Sequence, residues 1–217
     1  MKSKTIGIPG YKTDISFGAG INHLEFISNF GNAKIIMPWE KYVKVDLLYL
    51  PGGLDTAPSN YGEVPRYNTS NQDVMKEFFF RNRLKNYIEA GTPIFGVCLG
   101  MQELAVYFGS KLTQDFIYHS QSDDRWETAH CVWNPNNAKD KFEVNSHHHQ
   151  GVLMSQLSDE LEALYITECE EPFIKSDTDW IVEAFQHKSL PIMGLQWHPE
   201  ECYDNFSINS MRGLLQN

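Results

Sequence analysis

A cysteine between two glycines joins an apolar run to a helical pattern. Residues 93–97 are apolar, as in a buried strand, and residues 101–108 carry apolar side chains at helical spacing. Between them, Gly96, Cys98 and Gly100 form the Gly-x-nucleophile-x-Gly pattern of a sharp strand-to-helix turn. Such a turn exposes its central side chain and aims a helix N-terminus at it, which favours a negatively charged sulfur. Free cysteines are often buried and inert, so the turn by itself leaves both interpretations of Cys98 open.

A histidine and a glutamate at an i, i+2 spacing are the best partners for this thiol. A thiol nucleophile needs a base, and the base needs a group that orients it. His198 follows an apolar strand-like run, and Glu200 lies two residues further on. Because i and i+2 side chains of an extended chain point to the same side, Glu200 can hold one ring nitrogen of His198 and leave the other for Cys98. An ordinary surface His-Pro-Glu segment is the alternative.

Two backbone amides could bind the oxyanion that forms when a thiolate attacks an amide carbon. One is the N–H of Leu99, at the start of the helix after the turn. The other lies in Gly52-Gly53, after an apolar run at residues 45–50, and we assign it to Gly53. Ligands of open α/β sheets bind at the carboxyl ends of strands, as here. A plain turn is the alternative for this Pro-Gly-Gly sequence.

Composition and charge indicate one globular domain. The chain has 217 residues, 41% of them hydrophobic, which suffices for one core, and we expect a single domain over residues 1–217. A formal net charge of −10 disfavours nucleic acid and anionic membranes as partners, although it allows a local basic pocket for a small anionic substrate. The oligomeric state stays open.

The cysteines and the N-terminus predict a cytoplasmic protein. Cys98, Cys131, Cys169 and Cys202 are widely spaced, so we expect neither a disulfide framework nor a zinc-thiolate site. No apolar run follows the N-terminal lysines, so we expect no signal peptide and no membrane span.

Strand-like and helix-like segments alternate in the first half of the chain. This order predicts an α/β fold of three layers, in which a mostly parallel central sheet is flanked by helices and carries the strand–nucleophile–helix turn. We expect helices at residues 21–30, 73–90 and 101–108. We expect strands at residues 5–8, 33–37, 45–50, 93–97, 111–116, 161–168, 180–186 and 191–197. We expect loops at residues 55–70 and 119–140, the latter with one strand near Cys131.

Taken together, these segments resemble the class I glutamine amidotransferase superfamily. Within it, the chain is most similar to the stand-alone γ-glutamyl hydrolases of the peptidase type. Cys98, His198 and Glu200 match the catalytic triad of that family residue by residue. The resemblance rests on separated stretches in the family's order, residues 51–63, 95–102, 144–150 and 194–200, together with residues 113–115, His119, His130 and residues 183–184. Departures include Leu99, where this branch often has arginine, and Trp180, where it often has glycine.

The resemblance also suggests where substrate binds. It implies that His148 and His149 line the substrate side of the cleft, more so than His147. Gln102, one helical turn after Cys98, is a candidate contact for the glutamyl group, the alternative being a half-buried polar helix residue. We expect no metal at residues 147–149, because adjacent residues of an extended chain point to opposite faces.

The implied activity is cysteine-dependent hydrolysis of a γ-glutamyl amide through a thioester, without a cofactor. A glutaminase subunit that delivers ammonia to a separate synthetase is the main alternative. A pseudoenzyme of the same fold is a third possibility. The chain also resembles hydrolases that remove the glutamyl group from a nucleotide-linked γ-glutamyl phosphoramidate in bacterial capsule pathways.

Overall fold

The computed structural model describes residues 3–12, 17–66, 68–69, 71–116, 119, 127–169 and 179–216. Its strands are β1 Thr5–Pro9, β2 Tyr11–Lys12, β3 Phe17–Gly18, β4 Asn32–Ile36, β5 Leu47–Leu50, β6 Ile94–Val97, β7 His130–Asn134, β8 Asn137–Val144, β9 Val152–Leu153, β10 Leu161–Glu168, β11 Trp180–His187 and β12 Ile192–Leu195. Its α-helices are α1 Ile21–Ser28, α2 Val74–Asn82, α3 Leu84–Glu89, α4 Leu99–Tyr107, α5 Pro199–Cys202 and α6 Asn205–Gln216.

Most strands join one mixed sheet in the order β4-β1-β5-β6-β12-β11-β10-β7-β8, with β9 beside β11. The pairs from β4 to β12 are parallel. The remaining pairs are antiparallel. A short connection joins β11 to β12, and only an antiparallel pair can be closed by so short a link. The predicted α/β sheet flanked by helices is confirmed, and its parallel half carries the cysteine turn.

The two faces of the sheet are covered by different helices. Successive residues of a strand point to opposite faces, so Leu48 and Ile94 lie in one apolar cluster and Leu47 and Phe95 in the other. Helices α2 to α4 cover the first face with Phe79, Leu84, Met101 and Leu104. Helices α1 and α6 cover the second with Phe26, Ile27, Met211 and Leu214. No helix within the described ranges is long and apolar enough to cross a bilayer.

The helix expected at residues 73–90 is interrupted. Arg83 has φ −125° and ψ −38°, which ends α2 and begins α3. Its guanidinium donates to the carbonyl oxygens of Asn82 and Pro38, each at 3.2 Å. The prediction of one continuous helix was therefore wrong at this residue. Apolar periodicity carries no information about a side chain that hydrogen-bonds backbone carbonyls where a helix is interrupted.

Other differences lie in the second half of the chain. The expected strand at residues 111–116 is reduced to one isolated bridge between Thr113 and Gly151. The strand expected near Cys131 is β7, but the start of β8 at Asn137 was not expected within the loop predicted at residues 119–140, of which residues 120–126 lie outside the described part. Helix α6, which our sequence analysis did not predict, packs its apolar side on the sheet.

The cysteine turn depends on two glycines at the contact between β6 and α4. A Cβ atom on Gly96 would lie 2.7 Å from the carbonyl carbon and oxygen of Gly100. A Cβ atom on Gly100 would overlap the carbonyl oxygen of Leu50 on the neighbouring strand. Because these neighbours are backbone atoms of a helix and of a strand, they cannot move aside as a flexible side chain would. The contact therefore requires glycine at both positions.

We predict that Gly100→Ala lowers the free energy of unfolding by about 1–3 kcal/mol or more, as overpacking does. Gly213→Ala is the matched control, because Gly213 is an exposed residue of α6 with no atom near the position of an added Cβ. The control should gain about 0.5–1 kcal/mol, since alanine favours a helix more than glycine. Urea denaturation measures both, and equal effects of the two substitutions would contradict the interpretation of this contact.

Candidate active site

Three neighbouring parallel strands deliver the candidate residues to one edge of the sheet. Strand β6 pairs with β5 on one side and with β12 on the other. Gly52 follows β5, Cys98 follows β6 and His198 follows β12 within a few residues. Because parallel strands end at the same edge, three segments that are distant in sequence meet there.

Cys98 has an unusual backbone conformation. Its φ is +50° and its ψ is −108°, a left-handed value of φ that non-glycine residues rarely adopt. Its own N–H donates to the carbonyl of Leu195 at 2.8 Å, and its carbonyl accepts from the N–H of Gln102 at 3.0 Å. The residue is thus bonded to β12 on one side and to α4 on the other, and its side chain lies before the first turn of α4.

His198 lies between Cys98 and Glu200. Its Nδ1 is 2.7 Å from Oε1 of Glu200, and its ring lies close to the side chain of Cys98. Burial alone would lower the pKa of His198, but Cys98 and Glu200 raise it well above its usual value. Burial would raise the pKa of Glu200, but His198 lowers it. The arrangement favours an imidazolium between a sulfur and a carboxylate.

The backbone of His198 is held by the side-chain amide of Asn145. The N–H of His198 donates to Oδ1 of Asn145 at 2.8 Å, and Nδ2 of Asn145 donates to the carbonyl of His198 at 3.2 Å. On the other side, a Cβ atom on Gly52 would lie 2.7 Å from Cε1 of His198 and 3.4 Å from Cβ of Cys98. Gly52 therefore packs directly against both side chains, and any larger residue would separate them.

Behind Glu200 lies a buried aromatic pair. Nδ1 of His23 is 3.2 Å from Oε1 of Glu200 and 3.1 Å from the hydroxyl of Tyr49. Burial lowers the pKa of His23 to about 4, so this ring is neutral at ordinary pH. Oε1 of Glu200 thus lies between the rings of His23 and His198.

A cavity of about 560 Å³ opens beside Cys98. Its walls carry charged groups of both signs. Asp73 and Glu201 are acidic, and Lys76 is basic. The other residues that line the cavity include Tyr11, Gly53, Cys98, His147 and His198.

Lys76 contacts the predicted oxyanion loop from the buried side. Its Nζ donates to the carbonyl of Gly52, and a Cβ atom on Gly53 would lie 2.6 Å from the same Nζ. Burial lowers the pKa of Lys76. The N–H groups of Gly53 and Leu99 have no hydrogen-bond acceptor among the described residues. Both predicted donors are therefore available to a ligand.

Sequence analysis missed Lys76, although the sequence contains the pattern that would have indicated it. Lys76, Phe79 and Phe80 are the buried residues of α2, and they follow the i, i+3, i+4 spacing of one helix face. A lysine on the apolar face of a helix needs a buried acceptor or a ligand. Its acceptor is the carbonyl of Gly52, and no local pattern predicts that contact.

The three predicted substrate contacts lie away from this cavity. Nε2 of Gln102 donates to the carbonyl of Gln150 at 2.9 Å, inside the protein. His148 is also buried, which lowers its pKa to about 3. The cavity is lined by His147, whose ring centroid is 6.0 Å from that of His198, and not by Gln102, His148 or His149. Substrate contact by these three residues stays a prediction.

His149 instead bridges two carboxylates. Its Nε2 is 3.1 Å from Asp55 and its Nδ1 is 3.0 Å from Asp115. The hydrogen bond to Asp55 raises the pKa of His149 to about 9; burial opposes this shift and the bond to Asp115 adds to it. This cluster fastens residue 149 to the segment after Gly53.

We predict that Asp55→Asn removes a pH-dependent part of the stability. Because the folded pKa of His149 lies above its unfolded value, the pair stabilises the fold fully below about pH 6.5 and loses this effect as the pH rises through about 9. Wild-type and Asp55→Asn protein should therefore differ more in free energy of unfolding at pH 6 than at pH 10. Asp159→Asn, at an exposed carboxyl, is the control. A difference in free energy of unfolding between wild-type and Asp55→Asn protein that does not change with pH would refute the assigned role of the Asp55–His149 pair.

Comparison with known proteins places this geometry in a family. Residues 22–200 match the Peptidase C26 family. The glutamine amidotransferase-like protein YvdE of Lactococcus lactis subsp. lactis is 33% identical over 196 residues, which cover 82% of this chain and 78% of that protein. A GMP synthase (glutamine-hydrolysing) of Francisella tularensis is 30% identical over 131 residues, which cover 56% of this chain and 23% of that protein.

Solved structures share the fold at low sequence identity. A GMP synthase subunit from Thermoplasma acidophilum superposes with a TM-score of 0.65 at 17% identity, over 100% of this chain and 94% of that chain. A glutamine amidotransferase of Thermotoga maritima gives a TM-score of 0.58 at 16% identity, over 100% of this chain and 84% of that chain. The chain belongs to the Peptidase C26 family of class I glutamine amidotransferase-like proteins.

Proposed function

We propose that this protein is a cysteine hydrolase that cleaves the C–N bond of a γ-glutamyl amide. Family membership supports a hydrolase that acts on an amide bond. The observation that carries the finer proposal is the placement of Cys98, His198 and Glu200 together at the wall of an open cavity, with His198 hydrogen-bonded to Glu200 at 2.7 Å. This order of nucleophile, base and orienting carboxylate is what nucleophilic catalysis requires.

The reaction proceeds through a thioester. The sulfur of Cys98 attacks the γ-carbonyl carbon, a C–S bond forms, and the thiol proton passes to His198. The C–N bond then breaks as His198 protonates the departing amine. A water molecule gives a proton to His198 and attacks the thioester, which releases glutamate, and the sulfur regains its proton. Glu200 keeps Nδ1 of His198 protonated throughout, so that the other ring nitrogen serves Cys98.

The amides of Gly53 and Leu99 bind the oxyanion in this proposal. Both N–H groups lack an acceptor among the described residues, and both flank Cys98. Lys76 acts as a positioning residue, because its hydrogen bond to the carbonyl of Gly52 fixes the peptide plane that precedes Gly53. Fixed donors of this kind stabilise the transition state more than the ground state.

The charges of the cavity suit a γ-glutamyl group. This group carries an α-carboxylate and an α-ammonium at the end opposite to the scissile bond. The cavity wall supplies the cation of Lys76 together with the acidic side chains of Asp73 and Glu201. A site of mixed charge complements such a zwitterion better than it complements an apolar acyl group.

We predict that Cys98→Ala lowers kcat/KM for γ-glutamyl amides by about 10⁴-fold or more, as loss of a nucleophile does in related triads. Coupled detection of glutamate over a panel of γ-glutamyl compounds measures the rate. The panel includes a cytidine-nucleotide γ-glutamyl phosphoramidate, because of the resemblance noted above. Cys131→Ala, at a half-buried thiol of β7, is the matched control and should retain activity. Full activity of Cys98→Ala would sink the proposal.

We predict that Lys76→Met lowers kcat by about 10–10³-fold with a smaller change in KM, because an oxyanion donor is displaced. Lys85→Met is the control, since Lys85 is an exposed residue of α3 paired only with Glu89 among the described side chains. Steady-state kinetics on both variants separates the two parameters. A rise in KM with unchanged kcat would instead indicate that Lys76 only binds substrate.

A glutaminase subunit that supplies ammonia to a separate synthetase is the second candidate. The sequence match to part of a GMP synthase favours it. The two functions differ in what the isolated protein does. A stand-alone hydrolase cleaves substituted γ-glutamyl amides by itself, whereas a dependent glutaminase stays nearly silent until its partner is present. Turnover of glutamine alone, with no turnover of substituted amides, would favour the second candidate.

A further inference from the structure

A second cluster of ionisable side chains is buried away from the cavity. It consists of three histidines around Glu183, a fully buried residue of β11. Oε1 of Glu183 is 3.1 Å from Nε2 of His119, 3.6 Å from Nε2 of His130 and 3.6 Å from Nε2 of His148. Three imidazole nitrogens from distant segments thus converge on one carboxylate oxygen.

Hydrogen bonds account for only part of this cluster, namely the contact of His119 Nε2 with Oε1 of Glu183 at 3.1 Å. Nδ1 of His148 is 2.9 Å from the carbonyl of Gln150, so Nδ1 carries the proton of the neutral ring and Nε2 presents a lone pair to Glu183. Nε2 of His148, Nε2 of His130 and Oε2 of Glu183 are all buried without a hydrogen-bond partner among the described residues. Buried lone pairs that face one another are satisfied by a proton or by a metal cation between them, and a metal ion satisfies several of them at once.

We propose that His119, His130 and Glu183, with His148 beside them, bind one divalent transition-metal ion of the Zn²⁺ type. The separations fit such an ion. With metal–nitrogen and metal–oxygen distances of about 2.0–2.2 Å, two ligand atoms of a tetrahedral site lie about 3.3–3.5 Å apart. The nitrogens lie 3.1–3.6 Å from Oε1, and the ligand atoms of His119, His130 and Glu183 lie within 4.8 Å of one another.

The donor set selects the class of ion. Several imidazoles with one carboxylate suit Zn²⁺ and its neighbours, whereas Mg²⁺ and Ca²⁺ prefer oxygen ligands. His148 belongs to the run of residues 147–149, for which our sequence analysis expected no metal. That expectation concerned adjacent histidines sharing an ion, and only one of the three enters this cluster. The other ligands come from elsewhere in the chain.

The ion acts in folding and not in the thiol chemistry. None of the residues of this cluster lines the cavity beside Cys98. The hydroxyl of Ser146 donates to the carbonyl of His119 at 2.9 Å, and Asn145, one residue earlier, holds the backbone of His198. The ion therefore fastens the segment that positions His198, and the proposal stands or falls independently of the proposed activity.

Metal analysis of the full chain, produced without a histidine tag in zinc-supplemented medium, tests the proposal. About one ion per chain is expected by mass spectrometry, to be lost on dialysis against a strong chelator. Returning Zn²⁺ to about 100 times its Kd should raise Tm by about 5–10 °C. Replacement by Co²⁺ should give the visible absorption of a tetrahedral site. Less than about a tenth of an ion per chain, with no Tm shift on adding Zn²⁺, would overturn the proposal.

Variants locate the ion. Glu183→Gln keeps the side-chain volume and removes the charge, and His130→Gln alters a ligand whose side chain is 18% exposed. Both should lose the ion and the Zn²⁺-dependent rise in Tm. His187→Gln is the matched control, because His187 is a buried histidine of β11 whose Nδ1 accepts from backbone amides. It should lower Tm and retain the ion. If Glu183→Gln does not fold, His130→Gln decides, and retention of the ion there would overturn the proposed ligand set.

Discussion

The close contact between β6 and α4 is the constraint on which the rest of the site depends. Gly96 and Gly100 bring the helix so near the sheet that backbone meets backbone, and the chain must turn within one residue. That residue is Cys98, and its positive φ follows from the sharpness of the turn. The sulfur therefore stands at a fixed point before α4, and every other group of the site is arranged around that point.

The parallel and antiparallel halves of the sheet contribute differently to the arrangement of groups around the Cys98 sulfur. The parallel half aligns the carboxyl ends of β5, β6 and β12, so the glycine loop and His198 arrive beside Cys98 without long connections. The antiparallel half sends residues 145–150 back across that edge, where Asn145 holds the backbone of His198. The parallel strands thus set the positions of the glycine loop, Cys98 and His198, and the segment at residues 145–150 holds the backbone of His198 in place.

Local patterns predicted much of this structure, because they depend on neighbours in sequence. Apolar periodicity gave most strands and α1, and the spacing of His198 and Glu200 anticipated a bond of 2.7 Å. Contacts that depend on which segments become neighbours in space were not predictable in this way. The bond from Lys76 to the Gly52 carbonyl and the convergence of His119 and His148 on Glu183 join residues 24 to 64 positions apart. The break at Arg83 also escaped prediction, because a single side chain stabilises it.

The left-handed backbone of Cys98 has a further consequence for how this protein can change. A non-glycine residue in such a conformation carries about 1–3 kcal/mol of strain, which the surrounding contacts must offset. Glycine at this position would release that strain and would also remove the sulfur. Selection for stability alone would therefore drive the chain toward an inert scaffold. A cysteine at position 98 therefore carries a cost in stability, which the proposed thiol chemistry would explain.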